Sequence, residues 1–210
     1  MIISIATEKH LKHAEAICDM IADAAKKRGT GIAKRSPDYL CDKIKEDKAV
    51  IAMDSDKPVG FCYIESWEGN KFVANSGLIV SEQYRKTGLA KMIKAEILRL
   101  SVKKFPKSKV FGITTSLAVM KINSDLGYKP VTFSELTDDE LFWNGCKGCV
   151  NYDILQRNDR NNCLCTAMIY KQKEEKIIEK HVRSRWENFQ RFLKLRKIRI
   201  QKKYKLNIEI

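Results

Sequence analysis

The stretch from residue 72 to residue 105 constrains the fold of this chain more than any other. It reads as a strand, Phe72–Val80, followed by a short turn that contains Gly88 and by a helical pattern from Leu89 to about Phe105. The start of a helix has backbone N–H groups without intrahelical partners, and the helix dipole makes that end favourable for anions. Gly88 lets a ligand approach the backbone closely, since glycine has no Cβ. The sequence therefore predicts either a phosphate-binding turn or an ordinary strand-to-helix turn.

The other periodic segments predict a mixed α/β fold whose first half is antiparallel and whose centre resembles a βαβ unit. Gly127 is expected at the C′ position of the helix that ends near Asp125. Helices are expected after Thr7 (to about Lys27), after Ser36, from Leu89 and from about Ser116. Strands are expected at Ile2–Ala6, Ala49–Met53, Val59–Glu65, Phe72–Val80, Val110–Thr115, Tyr128–Phe133 and Asn162–Tyr170.

The net charge of +14 is concentrated at the C-terminus. Residues 171–210 contain nine Lys and five Arg against five acidic residues, a net of +9, which leaves +5 for residues 1–170. We therefore predict one domain at 1–170, with an insertion at 134–162, and a basic amphipathic helical tail at 171–210. The tail is expected to pack on the domain or to form a homodimer. RNA or an anionic membrane surface is the alternative partner, although nucleic-acid binding by the whole protein is not expected.

The N-terminal segment Met1–Glu8 lacks the basic start and apolar core of a signal peptide. No apolar run has the length of a membrane span. We expect a soluble, cytoplasmic protein.

Four of the seven cysteines fall within twenty residues, as two close pairs. Cys146-x-x-Cys149 has knuckle spacing, and Cys163-x-Cys165 is one residue tighter than the common pattern. Four thiolates suit tetrahedral zinc, which would fix an insertion with little core of its own. A redox pair and four reduced thiols beneath the substrate site are the alternatives.

Two segments resemble the GNAT superfamily of N-acyltransferases, which bind acyl-coenzyme A. Residues 78–90 are similar to the fourth strand and pyrophosphate loop of the family, Gln/Arg-x-x-Gly-x-Gly/Ala, and Leu126-Gly127-Tyr128 is similar to the end of its last major helix. The resemblance covers residues 1–133 and 162–170. It implies a mostly antiparallel twisted sheet flanked by helices, with acetyl-coenzyme A as donor. The implied cofactor-binding residues are Leu78, Ile79, Val80, Arg85, Lys86, Thr87, Gly88, Leu89, Ala90, Ser116 and Asn123.

The chain departs from the family at the groups that transfer protons. Asn123 stands where many members have a tyrosine acid, and residues 74–77 lack the usual strand glutamate. In the implied reaction an amine attacks a thioester, and N–H donors of an irregular fourth strand near Gly77 and Leu78 stabilise the oxyanion. Glu65 is our preferred base, the alternative being a solvent-facing strand end. Asn123 is expected either near the thiol sulfur or on the helix surface.

The connection at residues 28–36 is rich in cations and glycine, which suits a small acidic acceptor. A solvated basic loop is the alternative. Residues 28–37, 75–80 and 132–137 also resemble single-domain GNATs that acylate glutamate in arginine biosynthesis. That resemblance implies a glutamate acceptor and an acetyl or succinyl donor. The predicted substrate-binding residues are Arg28, Lys34, Arg35, Asn75 and Ser76. A non-catalytic acyl-coenzyme A-binding regulator, or a nucleic-acid-associated adaptor, is the alternative function.

Overall fold

The computed structural model describes residues 1–28 and 35–170, with the side chain of Arg28 excepted. The described residues form a mixed α/β fold with one sheet. The strands are β1 (Ile2–Ile5), β2 (Ala49–Asp54), β3 (Lys57–Trp67), β4 (Phe72–Val80), β5 (Lys109–Thr114), β6 (Lys129–Val131) and β7 (Thr166–Tyr170). The helices are α1 (Ala14–Arg28), α2 (Pro37–Lys45), α3 (Leu89–Lys104), α4 (Leu117–Asp125), α5 (Glu140–Asn144) and α6 (Tyr152–Arg157).

The sheet has seven strands in the order β1-β2-β3-β4-β5-β7-β6, and its neighbours are antiparallel except for β4 and β5. The parallel β4–β5 ladder is short, ending where Ala74 pairs with Phe111. The pairing of β4 with β3 continues as far as Val80. The two parallel strands therefore diverge beyond Ala74 and leave a V-shaped opening in the middle of the sheet.

Strand β4 is irregular within this opening, as the sequence predicted. The register with β3 shifts between Phe61 and Tyr63, so that β4 has an extra residue there. Gly77 takes a φ of 63° at the bulge, a conformation that favours glycine. The ring of Tyr63 occupies the space that a Cβ on residue 77 would fill. The bulge in β4 therefore lies directly against the Tyr63 side chain of β3.

The alternation of side chains along β3 defines the two faces of the sheet. Phe61 and Tyr63 contact the buried residues of α1 and α2. Cys62 and Ile64 contact the buried face of α3. The helices therefore cover both faces, and the diverging strands lie between them.

The end of α4 confirms the predicted role of Gly127, whose φ is 92°. The N–H of Gly127 donates to the carbonyl of Ser124, and the N–H of Tyr128 donates to the carbonyl of Asn123, both at 3.0 Å. This pair of hydrogen bonds is a Schellman motif. It directs the chain into the sheet, where Tyr128 is buried.

Two segments differ from the sequence-based prediction. The chain from Glu8 to His13 is a 3₁₀ helix, and at its start the N–H of Thr7 donates to the ring nitrogen Nδ1 of His10 at 2.9 Å. Strand β7 begins at Thr166, so Cys163 and Cys165 precede it.

The segment 134–162 has more core than expected. Its residues Leu136, Trp143 and Leu155 are buried in one cluster with Phe72 of β4 and Phe111 of β5. The indole N–H of Trp143 donates to the carbonyl of Thr137 at 2.9 Å. Packing therefore fixes this segment in place.

The predictions for the tail at 171–210, including its homodimer, lie outside the described residues. Within residues 1–28 and 35–170, no helix has the length and apolar character needed to cross a membrane.

Candidate active site

A cavity of about 940 Å³ opens where β4 and β5 diverge. Its wall includes Gly77 of β4, Gly112 of β5 and Asn123 of α4. Helix α2 and the segment 141–165 complete the wall. The cavity therefore joins both faces of the sheet at the divergence of the parallel strands.

The turn at residues 85–90 has the geometry of an anion site. Lys86 and Gly88 have positive φ angles of 65° and 87°. The N–H groups of Lys91 and Met92 donate to the carbonyl of Gly88 at 3.0 Å and 3.1 Å, so that α3 begins directly after this turn. Leu89 is fully buried and anchors the start of α3, whereas Arg85 is exposed. The loop thus presents N–H donors at a helix N-terminus beside cationic side chains.

The free edge of β4 connects this turn with the cavity. From Asn75 to Val80 the strand pairs with β3 alone. Its β5-facing backbone therefore runs for roughly 17 Å, at about 3.3 Å per residue, without a ladder partner. The side chains of Ile79 and Val80 are buried. A ligand at this edge would therefore contact backbone N–H and C=O groups and not these side chains.

Four polar side chains converge on the opposite side of the cavity. Nε of Arg35 donates to the phenol oxygen of Tyr63 at 2.7 Å, and Nη2 of Arg35 lies 3.7 Å from Oε1 of Glu65. The phenol of Tyr39 donates to the same carboxylate oxygen. Tyr63 and Glu65 share one face of β3, while Ser36 caps α2 and places Tyr39 in its first turn. The side chain of Glu65 is only 15% exposed. The alternative prediction, that Glu65 is a solvent-facing strand end, is therefore wrong.

The electrostatics of this cluster keep both tyrosines protonated. Burial, followed by the negative charge of Glu65, raises the pKa of Tyr39 and of Tyr63 well above the usual value. Both rings also stack with the guanidinium of Arg35, at 5.1 Å and 6.0 Å. Arg35 and Glu65 were predicted from the sequence, but the tyrosines were missed. The signal for Tyr63 was its position two residues before Glu65 on a strand.

A buried polar network lies at the base of the opening, on the α3 side. The Oδ1 of Asn75 accepts hydrogen bonds from Tyr128 at 2.8 Å and from Nζ of Lys94 at 3.3 Å. Its Nδ2 donates to Ser101 at 2.7 Å. Lys94 is 2% exposed, and burial lowers the pKa of its ammonium to about 8. Asn75, predicted to bind substrate, thus has both ends of its amide engaged inside the protein.

Asn123 is buried, so the surface alternative for this residue is wrong. It is 1% exposed, and its Oδ1 has no hydrogen-bond partner within the described part of the chain. Its Nδ2 lies 3.8 Å from Sδ of Met168. Ser116 stands at the start of α4 and also contributes to the cavity wall. An unpartnered buried amide of this kind marks a place where a ligand can supply the missing contact.

The four clustered cysteines lie in the wall of the same cavity as free thiols. Burial, together with the neighbouring thiols, raises the pKa of Cys146 to about 11 and that of Cys165 to about 12. Over residues 1–28 and 35–170, no group of three or more His, Cys, Asp or Glu side chains has an arrangement that could hold a metal ion. The predicted zinc site at Cys146, Cys149, Cys163 and Cys165 is therefore not supported. Packing around Trp143 holds this segment instead.

The remaining predicted substrate residues are placed as follows. Ser76 lines the cavity, and its carbonyl accepts a hydrogen bond from the thiol of Cys62 at 3.2 Å. Lys34 and the side chain of Arg28 lie outside the described residues.

No protein-family model and no curated protein matches the chain. By contrast, 310 chains of solved structures are similar to it. The N-acetylglutamate synthase of Neisseria gonorrhoeae, complexed with coenzyme A and N-acetyl-glutamate, is 17% identical with a TM-score of 0.58 and aligns with 82% of this chain. This chain spans only 35% of that protein.

A GNAT-family acetyltransferase from Bacillus cereus is 17% identical with a TM-score of 0.50, and the alignment covers 81% of this chain and 96% of that one. The diaminobutyrate acetyltransferase of Paenibacillus lautus, in complex with L-2,4-diaminobutyric acid and coenzyme A, is 9% identical with a TM-score of 0.55. That alignment covers 81% of this chain and 94% of the enzyme. Together with the diverging strands and the bulged β4, these likenesses show that the chain has the fold of the GNAT acetyltransferases.

Proposed function

We propose that the protein is an N-acyltransferase that moves an acetyl group from acetyl-coenzyme A to the amine of a small carboxylate-bearing acceptor. The observation that carries this proposal is the opening between β4 and β5. It lies between the turn at residues 85–90, at the start of α3, and the half-buried pair of Arg35 and Glu65. Donor and acceptor can therefore meet there from opposite faces of the sheet.

The donor half rests on the backbone. The N–H groups of residues 86–90 suit the pyrophosphate of coenzyme A, and Arg85 and Lys86 add positive charge beside it. The unpaired edge of β4 can form hydrogen bonds with the amide groups of the pantetheine arm of the cofactor, in the way that a sheet edge binds an added strand. The bulge at Gly77 and Leu78 offers an N–H donor to the thioester oxygen, where negative charge develops during attack.

The acceptor half rests on the cluster around Glu65. The guanidinium of Arg35 suits a carboxylate in bidentate geometry. The carboxylate of Glu65 is oriented by the phenol of Tyr39 and acts as the general base. It takes a proton from the acceptor amine as the nitrogen forms its bond to the thioester carbon. The C–S bond then breaks, and the electron pair passes to sulfur.

Glutamate is our proposed acceptor, and arginine biosynthesis in the cytoplasm is the proposed context. Support comes from Arg35 in the cavity and from two structural neighbours whose bound molecules are an acetylated and a free amino acid. Free cysteines in the described residues agree with a reducing compartment. Succinyl-coenzyme A is the second candidate donor.

The test is release of coenzyme A thiol from acetyl- and succinyl-coenzyme A with a panel of amino acids. Acetylation of glutamate, verified by mass spectrometry, is the expected result. Binding of coenzyme A without thiol release for any acceptor would overturn the proposal in favour of a non-catalytic regulator. Turnover with another amine would overturn the glutamate assignment alone.

Replacing Arg35 by Gln is expected to raise the KM for glutamate by about 10- to 100-fold, since a charge-assisted contact contributes about 1.5–3 kcal/mol. The maximal rate should fall much less. Initial-rate kinetics with varied glutamate measure both values. Arg99→Gln, on the exposed face of α3, is the control and should match the wild type. An unchanged KM in Arg35→Gln would remove the carboxylate-binding role.

Gly88→Ala is expected to weaken coenzyme A binding by about tenfold or more, because a Cβ would enter the anion site. Apart from the two chain neighbours, no atom of the described residues lies within 4 Å of that Cβ, so the loss of stability should be limited to left-handed strain of about 1–2 kcal/mol. Calorimetric titration with coenzyme A and chemical denaturation measure the two effects.

Gly69→Ala is the matched control for Gly88→Ala. Gly69 also has a positive φ of 60° and open space around its Cβ position, but it lies in the β3–β4 turn. It should show the same strain and normal coenzyme A affinity. Equal affinities in the two variants would contradict a pyrophosphate site at Gly88.

A further inference from the structure

Lys94 is a buried cation that the reaction outlined above does not use. It lies on α3 and is 2% exposed, yet it contributes to the wall of the cavity beside Asn75, Gly112 and Asn123. Its Nζ donates to Oδ1 of Asn75 at 3.3 Å and lies 5.0 Å from the centre of the Tyr128 ring. The ammonium is thus held at the base of the opening, on the face opposite Glu65.

No carboxylate in residues 1–28 or 35–170 lies within ion-pair distance of Lys94. The groups that face it are the thiol of Cys62 from β3, the amide of Asn75 from β4 and the phenol of Tyr128 after α4. A buried ammonium without a counter-ion is unfavourable, and such groups are concentrated at functional sites. An anion that arrives with a ligand would supply the missing charge.

The leaving group of the proposed reaction is such an anion. Expulsion of coenzyme A produces a thiolate, which a nearby proton donor must neutralise. Asn123 stands in the same wall, but a carboxamide does not act as a general acid at neutral pH. Lys94 lines the cavity with Asn123, and its ammonium is a group that can donate a proton.

We propose that Lys94 is a catalytic residue, the general acid that protonates the sulfur of coenzyme A as the acyl group leaves. This inference rests on the proposed acyl transfer. The C–S bond breaks with its electron pair on sulfur, and a proton passes from Nζ of Lys94 to that sulfur. Lys94 is left as a neutral amine. Glu65 has meanwhile taken one proton from the acceptor amine, so exchange of one proton with water through the open cavity restores both groups.

The buried environment of Lys94 favours its proposed role as a proton donor. Burial lowers the pKa of Lys94 to about 8, close to that of a thiol at about 8.5. Below pH 8 the ammonium is present and can donate, and above pH 8 it is lost. Acid catalysis is most effective when the pKa of the donor lies near the working pH. The rate is therefore expected to fall, by about tenfold per pH unit, above pH 8.

The test titrates bound coenzyme A by the ultraviolet absorbance of its thiolate, with the complex of desulfo-coenzyme A as the blank for protein thiols. In the wild type, the thiol should ionise at a slightly lower pH than in free coenzyme A, because the Lys94 ammonium favours the thiolate for as long as it is protonated. In Lys94→Met the bound thiol should ionise as in solution. Lys103→Met, a change at an exposed lysine of the same helix, should behave as the wild type.

The same three proteins give a kinetic readout that a purely structural role would not alter. Lys94→Met should lose about 10²-fold in kcat at pH 7 and should lack the decline above pH 8. Lys103→Met should keep both.

The outcomes separate the inference from the proposed function. If the thiol of coenzyme A bound to the wild type ionises as in solution, the role of Lys94 is overturned and the proposed acyl transfer is unaffected. This measurement needs only the wild-type protein, so it tests the role of Lys94 even if Lys94→Met does not fold. Mass-spectrometric detection of acetylated Lys94 as the main product also overturns it, since Lys94 would then be an acceptor. Failure of coenzyme A to bind at all overturns the proposed function itself.

Discussion

Glu65→Gln is expected to lower kcat for glutamate acetylation by about 10²- to 10⁴-fold, the usual contribution of a general base. The amide keeps the size of the side chain and still accepts the hydrogen bond from Tyr39, but it does not take up a proton. Steady-state thiol release at pH 7 measures the loss. The ratio of wild-type to variant rates should shrink at higher pH, because more of the acceptor then arrives as a neutral amine.

Glu46→Gln is the matched control, since Glu46 also lines the cavity and is paired with Lys48 at 2.7 Å. Its rate should stay within about twofold of the wild type. A Glu65→Gln enzyme that retains most of its activity at pH 7 would show that Glu65 only positions Arg35 and Tyr39. A loss that is equal at all pH values would point to the same structural role.

Gly77→Ala is expected to lower the free energy of unfolding by about 2–4 kcal/mol. Left-handed backbone contributes about 1–2 kcal/mol, and overpacking contributes about 1–3 kcal/mol. A Cβ at this position overlaps ring atoms Cε1 and Cδ1 of Tyr63, so the ring must move. Since the phenol of Tyr63 accepts the hydrogen bond from Arg35, the KM for the acceptor should rise as well. Denaturant unfolding and initial-rate kinetics measure the two effects.

Gly112→Ala, on the other strand of the opening, is the control for Gly77→Ala. The nearest atom to its Cβ is Nδ2 of Asn123 at 3.9 Å, which is ordinary van der Waals contact, and its φ is not in the left-handed range. Its stability should change by less than about 1 kcal/mol. A stable Gly77→Ala variant with an unchanged KM would show that the bulge does not couple the donor strand to the acceptor site.

Local features of the chain were predicted well from the sequence. The turn at residues 85–90 and the glycine that ends α4 follow from short-range requirements of backbone geometry, whereas the irregular β4 was implied by the resemblance to the GNAT superfamily. The cofactor-binding roles assigned along this turn remain predictions, as do the substrate-binding roles. The zinc prediction is not supported, because cysteine spacing alone does not show whether a segment is stabilised by packing and not by a metal. Here an aromatic core around Trp143 stabilises the segment.

Other features could not be predicted because they depend on contacts between distant segments. Tyr39 and Tyr63 are 24 positions apart in sequence and meet only when α2 packs on β3. In the sequence, Lys94 is one of many lysines. Its position on the buried face of α3, seven residues before Ser101, was a signal that it is buried. Its partners Asn75 and Tyr128 come from two other elements.

The sequence by itself determined the order of elements and the turn at residues 85–90, because helix starts, strand alternation and glycine conformations are set by neighbouring residues. Only the tertiary structure decided that β4 and β5 separate after Ala74, and which side chains line the gap. That outcome depends on non-local strand pairing and on the packing of helices on each face. The resulting opening places Arg35 and Glu65 on one side and the buried Lys94 on the other.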